Sequence, residues 1–395
     1  MKHPLFLCGP ANCGTNLVKA ILGTNEKIHL ESEPFIPIFQ FLRTSIIKKH
    51  FKKSTNLKYD EPLFEYYFSK EQIAQMSTIQ KSNLNIKFEK KKITLLKKKI
   101  KNRMKDYVPN LIKDLNLING KNYKEILDNA IKLIDKNHSK KKIKWIGWMD
   151  SWIEEFFPIL SKEYKNSKFI LIIRDPRAAV ASYKNGLKKS NKSNLAPLTL
   201  SYLRCWRKQV AFFEYFKSKR NLKKRVLLVK YEELVNNPKM ITKKMCNFLK
   251  INYSNDMINT SKFMGLGKNT KQWKSNSNFT SPQKGIYKTS LNKWKRFLNK
   301  DLKNFIEFVV GPELKYLGYQ KKINKFDYTD ILKFHLSDLK NNKGWRTTKN
   351  SPEIDINFEI TRNKLIKEKN IDKNLIKNYF LFDEAYKKLK ITTSL

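Results

Sequence analysis

The chain has 395 residues, 40% hydrophobic and 12% aromatic, a composition that builds a core and excludes intrinsic disorder. Its 82 basic residues against 35 acidic ones give a net charge of +47, which favours anionic ligands. Four cysteines (Cys8, Cys13, Cys205, Cys246) show neither metal-ligand spacing nor a paired framework, and no apolar run approaches the roughly 18 residues of a membrane helix.

Residues 4–9, "PLFLCG", form a short apolar run ending at Gly-Pro and predict a buried parallel strand. "TNLVKAIL" (15–22) predicts a helix with Thr15 in its first turn, and "KIHLESEPF" (27–35) a second strand and a loop. From about 40 to 142 the chain is lysine-rich and helical by periodicity, as in "KEILDNAIKLIDK", and residues 45–142 are expected to be a helical insertion. "KWIGWMDSW" returns to the core. "FILII" (169–173), the turn "RDPR" and the helix "AAVASY" make the clearest strand–turn–helix unit, and "KRVLLVKYEELVNNP" (224–238) repeats it. Strands alternating with helices predict an α/β fold with a mostly parallel central sheet flanked by helices. Residues 262–298 read as a long loop region, "KDLKNFIEFVVGPELKYLGY" as a closing helix, and 326–395 as a C-terminal appendage of mixed character beside a domain of residues 1–325.

The lysine runs "KKHFKK", "EKKKITLLKKKIKNR" and "KNHSKKKIK" are interleaved with Ile and Asn, residues that share A/T-rich codons with Lys. Compositional drift on solvated helix faces explains them better than a nucleic-acid interface, which needs aromatic interleaving. Peripheral contact with anionic surfaces stays open on charge alone. The first predicted strand begins within a few residues of Met1 with no hydrophobic leader before it, so a cytoplasmic location is expected.

Two anion sites stand out. Gly9–Pro–Ala–Asn–Cys–Gly14 between strand and helix matches the glycine part of a phosphate loop, whose backbone N–H groups face an anion at a helix N-terminus. Thr15 and Asn16 follow where a nucleoside triphosphatase needs Lys and Ser/Thr, which disfavours that activity. An ordinary βα turn is the competing reading. Arg174 ends the strand "FILII", and Ser182 lies eight residues on. A guanidinium at the carboxyl edge of a parallel sheet offers a rigid fork to phosphate; pairing of Arg174 with Asp175 is the competing reading.

In this combination the chain resembles the PAPS-dependent sulfotransferases. "GPANCGTNL" is similar to the family's 5′-phosphosulfate loop, "IIRDPRAAVASY" to its 3′-phosphate motif, and "VKYEELVNNP" to the segment after it. "NSNFTSP" with "TSLNKWKRFL" resembles the loop and Trp-containing helix that close over the nucleotide. The resemblance covers roughly 3–40 and 143–320. It implies a P-loop sulfotransferase fold and 3′-phosphoadenosine 5′-phosphosulfate (PAPS) as donor, with no metal. It assigns Gly9, Ala11, Asn12, Cys13, Gly14, Thr15 and Asn16 to the donor's 5′ end, Arg174 and Ser182 to its 3′ phosphate, and Lys293 and Trp294 to a lid. The chain departs from the family twice: Asn12 stands where the loop carries Lys or Arg, and Met149 where many relatives carry Lys. Lys284, Lys288 and Lys293 are candidates for a substitute cation. Glu33 resembles the glutamate base of the tyrosylprotein branch, ahead of Asp150 and then His29, with Glu31 a rival in the same stretch; Glu33, Asn12 and Asp150 are the candidate catalytic residues. The implied partner is an acceptor hydroxyl, on a carbohydrate or glycolipid first and a peptide tyrosine second. The alternative is a catalytically weakened PAPS- or polyanion-binding protein of the same fold.

Overall fold

The computed structural model describes residues 2–51, 57–59, 63, 70–189, 197–264, 285–288, 291–344, 350–368 and 371–394. Strand β1 (His3–Cys8), helix α1 (Thr15–Gly23) and strand β2 (Ile28–Ser32) open the chain. Helices α2 (Ile36–His50), α3 (Lys70–Lys81), α4 (Ile93–Tyr107) and α5 (Tyr123–Lys136) precede strand β3 (Trp145–Met149). Helix α6 (Phe157–Glu163), strand β4 (Lys168–Ile173), helices α7 (Pro176–Lys189) and α8 (Thr199–Ser218) and strand β5 (Val226–Lys230) complete the sheet region. Helices α9 (Tyr231–Asn236), α10 (Pro238–Leu249), α11 (Trp294–Phe297) and α12 (Lys300–Tyr316) follow. Residues 328–394, read from sequence as mixed, are helices α13 (Tyr328–Asn341), α14 (Pro352–Lys367), α15 (Lys373–Tyr379) and α16 (Asp383–Ser394).

The sheet has five strands in the order β2-β3-β1-β4-β5, and every pair is parallel. Its strands are apolar throughout because both faces are covered. Phe6 and Cys8 of β1 and Phe169, Leu171 and Ile173 of β4 enter the core under α2, α5, α8 and α12. The alternate residues Leu5, Leu7, Ile170 and Ile172 enter a second core under α1 and α10. This period of two is the pleat of the strands.

The helices described between β2 and β3 form because their apolar residues recur at helical spacing. Helix α4 buries Leu96, Ile100 and Met104 and exposes Lys98, Lys101 and Lys105. Helix α5 is capped by Asn122, whose side chain accepts from the Glu125 N–H, and buries Ile126, Leu127, Ala130, Leu133 and Ile134. The C-terminal helices seat on α8 and α12 through buried ion pairs. Arg204 meets Asp355 (2.9 Å) and Glu359 (2.8 Å), Arg207 meets Glu359 (2.6 Å), and Arg362 pairs with Glu313.

Candidate functional site

Strand β1 ends at Cys8, and the loop Gly9–Gly14 turns the chain into α1. Gly14 has φ +95°, the left-handed region, and a Cβ there would sit 2.2 Å from Cδ2 of Tyr231. A Cβ at Gly9 would sit 2.7 Å from the Ile172 carbonyl oxygen. The loop therefore lies flat against β4 and the start of α9 only because these positions carry no side chain. No side chain caps α1, and the N-terminal N–H groups of a helix left uncapped are suited to cradle an anion. Two loop carbonyls are tied down: the Tyr202 hydroxyl donates to the Ala11 carbonyl at 2.6 Å, and Arg174 Nη1 donates to the Asn12 carbonyl at 3.1 Å. Thr15 is buried at the head of α1 and Asn16 is exposed beside it. Cys13 is buried with its Sγ 3.8 Å from the Tyr202 hydroxyl; burial pushes its thiol up to about 12, so it is no nucleophile at neutral pH.

Arg174 leaves the end of β4. The acid beside it is taken: Asp175 accepts from Arg177 Nε (3.0 Å) and Nη2 (2.7 Å), and Arg177 Nη1 reaches Glu307 at 2.9 Å. The pairing of Arg174 with Asp175 does not form. Instead the Arg174 guanidinium lies 4.4 Å from the centroid of the Tyr231 ring, and its buried Nε has no hydrogen-bond partner. Among the described residues no carboxylate lies within ion-pair distance of it. The Trp206 indole N–H donates to the Arg174 carbonyl (2.9 Å) and fixes the backbone there. Ser182 is buried two turns along α7.

Trp294 is buried against Ala178 and Ala181 of α7, with the Arg177 guanidinium 4.6 Å from its ring. Lys293 precedes it, half-buried. Lys288 and Trp294 line a cleft of about 410 Å³ with Asp175, Arg177, Glu232 and Tyr319. Glu232 accepts from the Asp175 N–H (2.9 Å) and the Tyr319 hydroxyl (3.0 Å), and burial raises its carboxyl. The segment "NSNFTSP" (276–282) and Lys284 lie outside the described residues.

The acids assemble at the same carboxyl edge. Register pairs Ser32 with Met149, so Glu33 and Asp150 leave adjacent strands side by side. The Glu33 N–H donates to the Met149 carbonyl (2.7 Å) and the Asp150 N–H to the Leu7 carbonyl (3.0 Å). Glu33 has φ +48°, a left-handed conformation that costs a non-glycine residue about 1–2 kcal/mol. Arg103 of α4 holds it: Nε donates to the Glu33 carbonyl (2.8 Å) and Nη2 to Oε2 (2.6 Å). Burial raises the Glu33 carboxyl and Arg103 opposes the rise. Asp150 is fully buried, and burial raises its carboxyl well above the usual range, reinforced by Glu33 and opposed by Arg103, the Trp148 indole and the Phe35 amide. His29 lies in mid-strand, not at this edge; its Nε2 pairs with Glu31 (3.1 Å) and its ring sits 5.0 Å from that of His138.

The structure thus brings Asn12, Gly14 and Arg174 together around Tyr231, and Glu33 and Asp150 together around Arg103, while Lys288 and Trp294 share the cleft beside Asp175. Sequence reasoning missed Arg103, Tyr202 and Tyr231. Arg103 carried a signal: it is the one arginine among the lysines of residues 45–142. Tyr202 and Tyr231 carried none, since a tyrosine in a helix reads as core.

The sequence profile of the sulfotransferase family matches residues 4–255. A Caenorhabditis briggsae protein named "Putative protein-tyrosine sulfotransferase" is 26% identical over 185 residues, covering 46% of this chain and 62% of that protein. The match therefore spans about three fifths of that relative's length. Similar solved structures include the sulfotransferase domain from the curacin biosynthetic pathway, at 14% identity and a TM-score of 0.42 over 76% of this chain and 93% of that one. Retinol dehydratase in a complex with retinol and PAP is similar at 12% identity and a TM-score of 0.36 over 80% of this chain and 82% of that one.

Proposed function

The chain belongs to the sulfotransferase family, and from that premise we propose that it moves a sulfuryl group from PAPS to an acceptor hydroxyl. The observation that carries the reading is Arg174: a buried guanidinium at the sheet's carboxyl edge with no carboxylate within ion-pair distance among the described residues, braced on Tyr231 and on the phosphate-loop carbonyl of Asn12. A cation kept buried without a counter-ion is costly unless an anion arrives to meet it.

In this reading the backbone of Gly9 to Asn16 and the Thr15 hydroxyl hold the 5′ phosphosulfate. Arg174 and Ser182 hold the 3′ phosphate, and Lys293 and Trp294 close the nucleotide side. The donor supplies an activated sulfuryl group: the bond from sulfur to the bridging phosphate oxygen breaks as the acceptor oxygen bonds to sulfur. Glu33 takes the acceptor's proton, and adenosine 3′,5′-bisphosphate leaves with the bridging oxygen. Burial raises both carboxyls and Arg103 opposes both rises, but Asp150 is held well above the usual range and Glu33 less so, which supports Glu33 as the base. Asn12 offers a neutral hydrogen bond to the leaving oxygen where a charged one would stabilise it more.

The acceptor we propose is a carbohydrate or glycolipid hydroxyl, with tyrosine as the rival that the name of the nematode relative supports. The four cysteines are buried and outside any disulfide, which supports a reducing compartment such as the cytoplasm. The second reading, a nucleotide-binding protein without turnover, is favoured by the uncharged residues at Asn12 and Met149.

Calorimetry of adenosine 3′,5′-bisphosphate, AMP and ATP tests the donor site. The bisphosphate binds tightest, and Arg174→Ala weakens it about 10- to 100-fold, the worth of a charge-assisted phosphate contact. Equal, salt-sensitive binding of all three nucleotides would sink the reading. Labelled PAPS offered to oligosaccharides and to tyrosine peptides then separates the acceptors, and binding without any transfer selects the second reading.

A further inference from the structure

We infer that Arg103, delivered by α4 of the lysine-rich segment between β2 and β3, is a positioning residue that holds Glu33 in place and ionised. The inference rests on Glu33 being the base of the reaction proposed above, and it adds a part of the chain outside the phosphate loop and the strand ends.

The guanidinium grips Glu33 at two points, through Nε on the backbone carbonyl and Nη2 on Oε2. The first contact pins a residue at φ +48°, a conformation that reverts unless its surroundings hold it. The second fixes the carboxylate rotamer and leaves Oε1 outside the clamp, where a proton can be received. Only a rigid fork makes both bonds at once; a lysine ammonium makes one or the other. Helix α4 is itself anchored, because Leu96, Ile100 and Met104 are buried, and this turns Arg103 and Tyr107 toward the sheet edge. The Arg103 guanidinium lies 5.2 Å from the Tyr107 ring centroid, a face that steadies it without competing for its donors.

The groups facing Glu33 are Arg103 and Tyr107 from α4 and Asp150 from the end of β3. Burial works against a charged Glu33, and among the described residues Arg103 is the cation that works for it. Any ion pair to Glu33 lowers its titration, so the readout that a bridge merely tying α4 to the sheet would not move is the acid limb of the pH–rate profile of transfer.

The test is a ¹³C-carboxyl NMR titration of the full chain labelled at glutamate, with Glu33→Gln assigning the Glu33 signal. Arg103→Ala moves the Glu33 titration upward by at least about one pH unit, because an opposite charge within ion-pair distance has been removed. Arg103→Lys keeps most of that charge and titrates close to the wild type. Arg103→Gln keeps donors without charge and moves with Arg103→Ala, so it serves if the alanine variant loses the fold. A Glu33 titration unchanged in both Arg103→Ala and Arg103→Gln overturns the inference. Calorimetry with adenosine 3′,5′-bisphosphate and the pH–rate profile of transfer run alongside: loss of binding in the wild type defeats the donor reading, whereas an acid limb that stays put in Arg103→Gln and Arg103→Ala overturns the role of Arg103.

Discussion

Gly14→Ala asks whether the phosphate loop, Tyr231 and Arg174 act as one unit. The backbone at Gly14 is left-handed, and an alanine there pays about 1–2 kcal/mol for its conformation. Its Cβ would also lie 2.2 Å from Cδ2 and 2.9 Å from Cε2 of Tyr231, where ordinary contact begins at 3.4 Å. The Tyr231 ring is 1% exposed and braced by the Arg174 guanidinium, so it cannot swing into solvent. Forcing it aside adds about 1–3 kcal/mol of overpacking. The variant is therefore expected to lose about 2–5 kcal/mol in urea unfolding, read as a lower midpoint at constant slope. Displacing the ring also removes the face under Arg174, a contact of about 0.5–2 kcal/mol, so bisphosphate affinity falls about 2- to 30-fold. A loss below about 1 kcal/mol with unchanged affinity would show that Gly14 is an ordinary turn glycine and that the ring does not support the arginine.

The buried ion pairs make two pH-dependent predictions. Burial alone would raise the Glu359 carboxyl, but Arg207 and Arg204 hold it at about 2. A carboxyl depressed in the fold stabilises above its unfolded value near 4.3 and loses that contribution as pH falls through 2. Glu359→Gln is thus expected to cost about 3–5 kcal/mol at pH 7, a gap that narrows between pH 4.5 and 2 in parallel urea titrations; a constant gap would disprove the assignment. Lys208→Met leaves Glu154 (2.9 Å) and Glu155 (2.6 Å) buried without their counter-ion. Burial already raises Glu155 against the pull of Lys208, and without the lysine it rises further. A raised carboxyl favours the fold at low pH and loses that as pH rises, so this variant should be about 3–5 kcal/mol weaker at pH 8 and recover toward pH 5. Equal deficits at both values would refute it.

Basic residues show where reading a sequence succeeds and where it stops. The lysines keep out of the core: among the described residues Lys208 is the one buried lysine, whereas Arg43, Arg174, Arg177, Arg204, Arg207 and Arg362 are all buried. A guanidinium is less strongly hydrated than an ammonium and carries a fork that pairs carboxylates, so arginines take the interior positions. Charged residues ordinarily stay at the surface, yet Asp355, Glu359 and Arg362 are buried because each finds its partner on α8 or α12.

The strands, the glycine loop and the spacing from Arg174 to Ser182 were legible because each is a local matter. A strand covered on both faces must be apolar along its length, and a left-handed turn against a neighbouring ring must be glycine. Which ions pair was not local. Arg174 adjoins Asp175 in the chain and Arg177 lies two residues on, yet the fold gave the acid to Arg177 and left Arg174 on an aromatic face. Glu33 and Arg103 are 70 residues apart, joined only once α4 packs its apolar stripe and the register of β2 on β3 sets Glu33 beside Asp150. Spacing along the chain limits what a loop can reach, but long-range packing chooses the partner of every buried charge, and the candidate base is defined by such a choice.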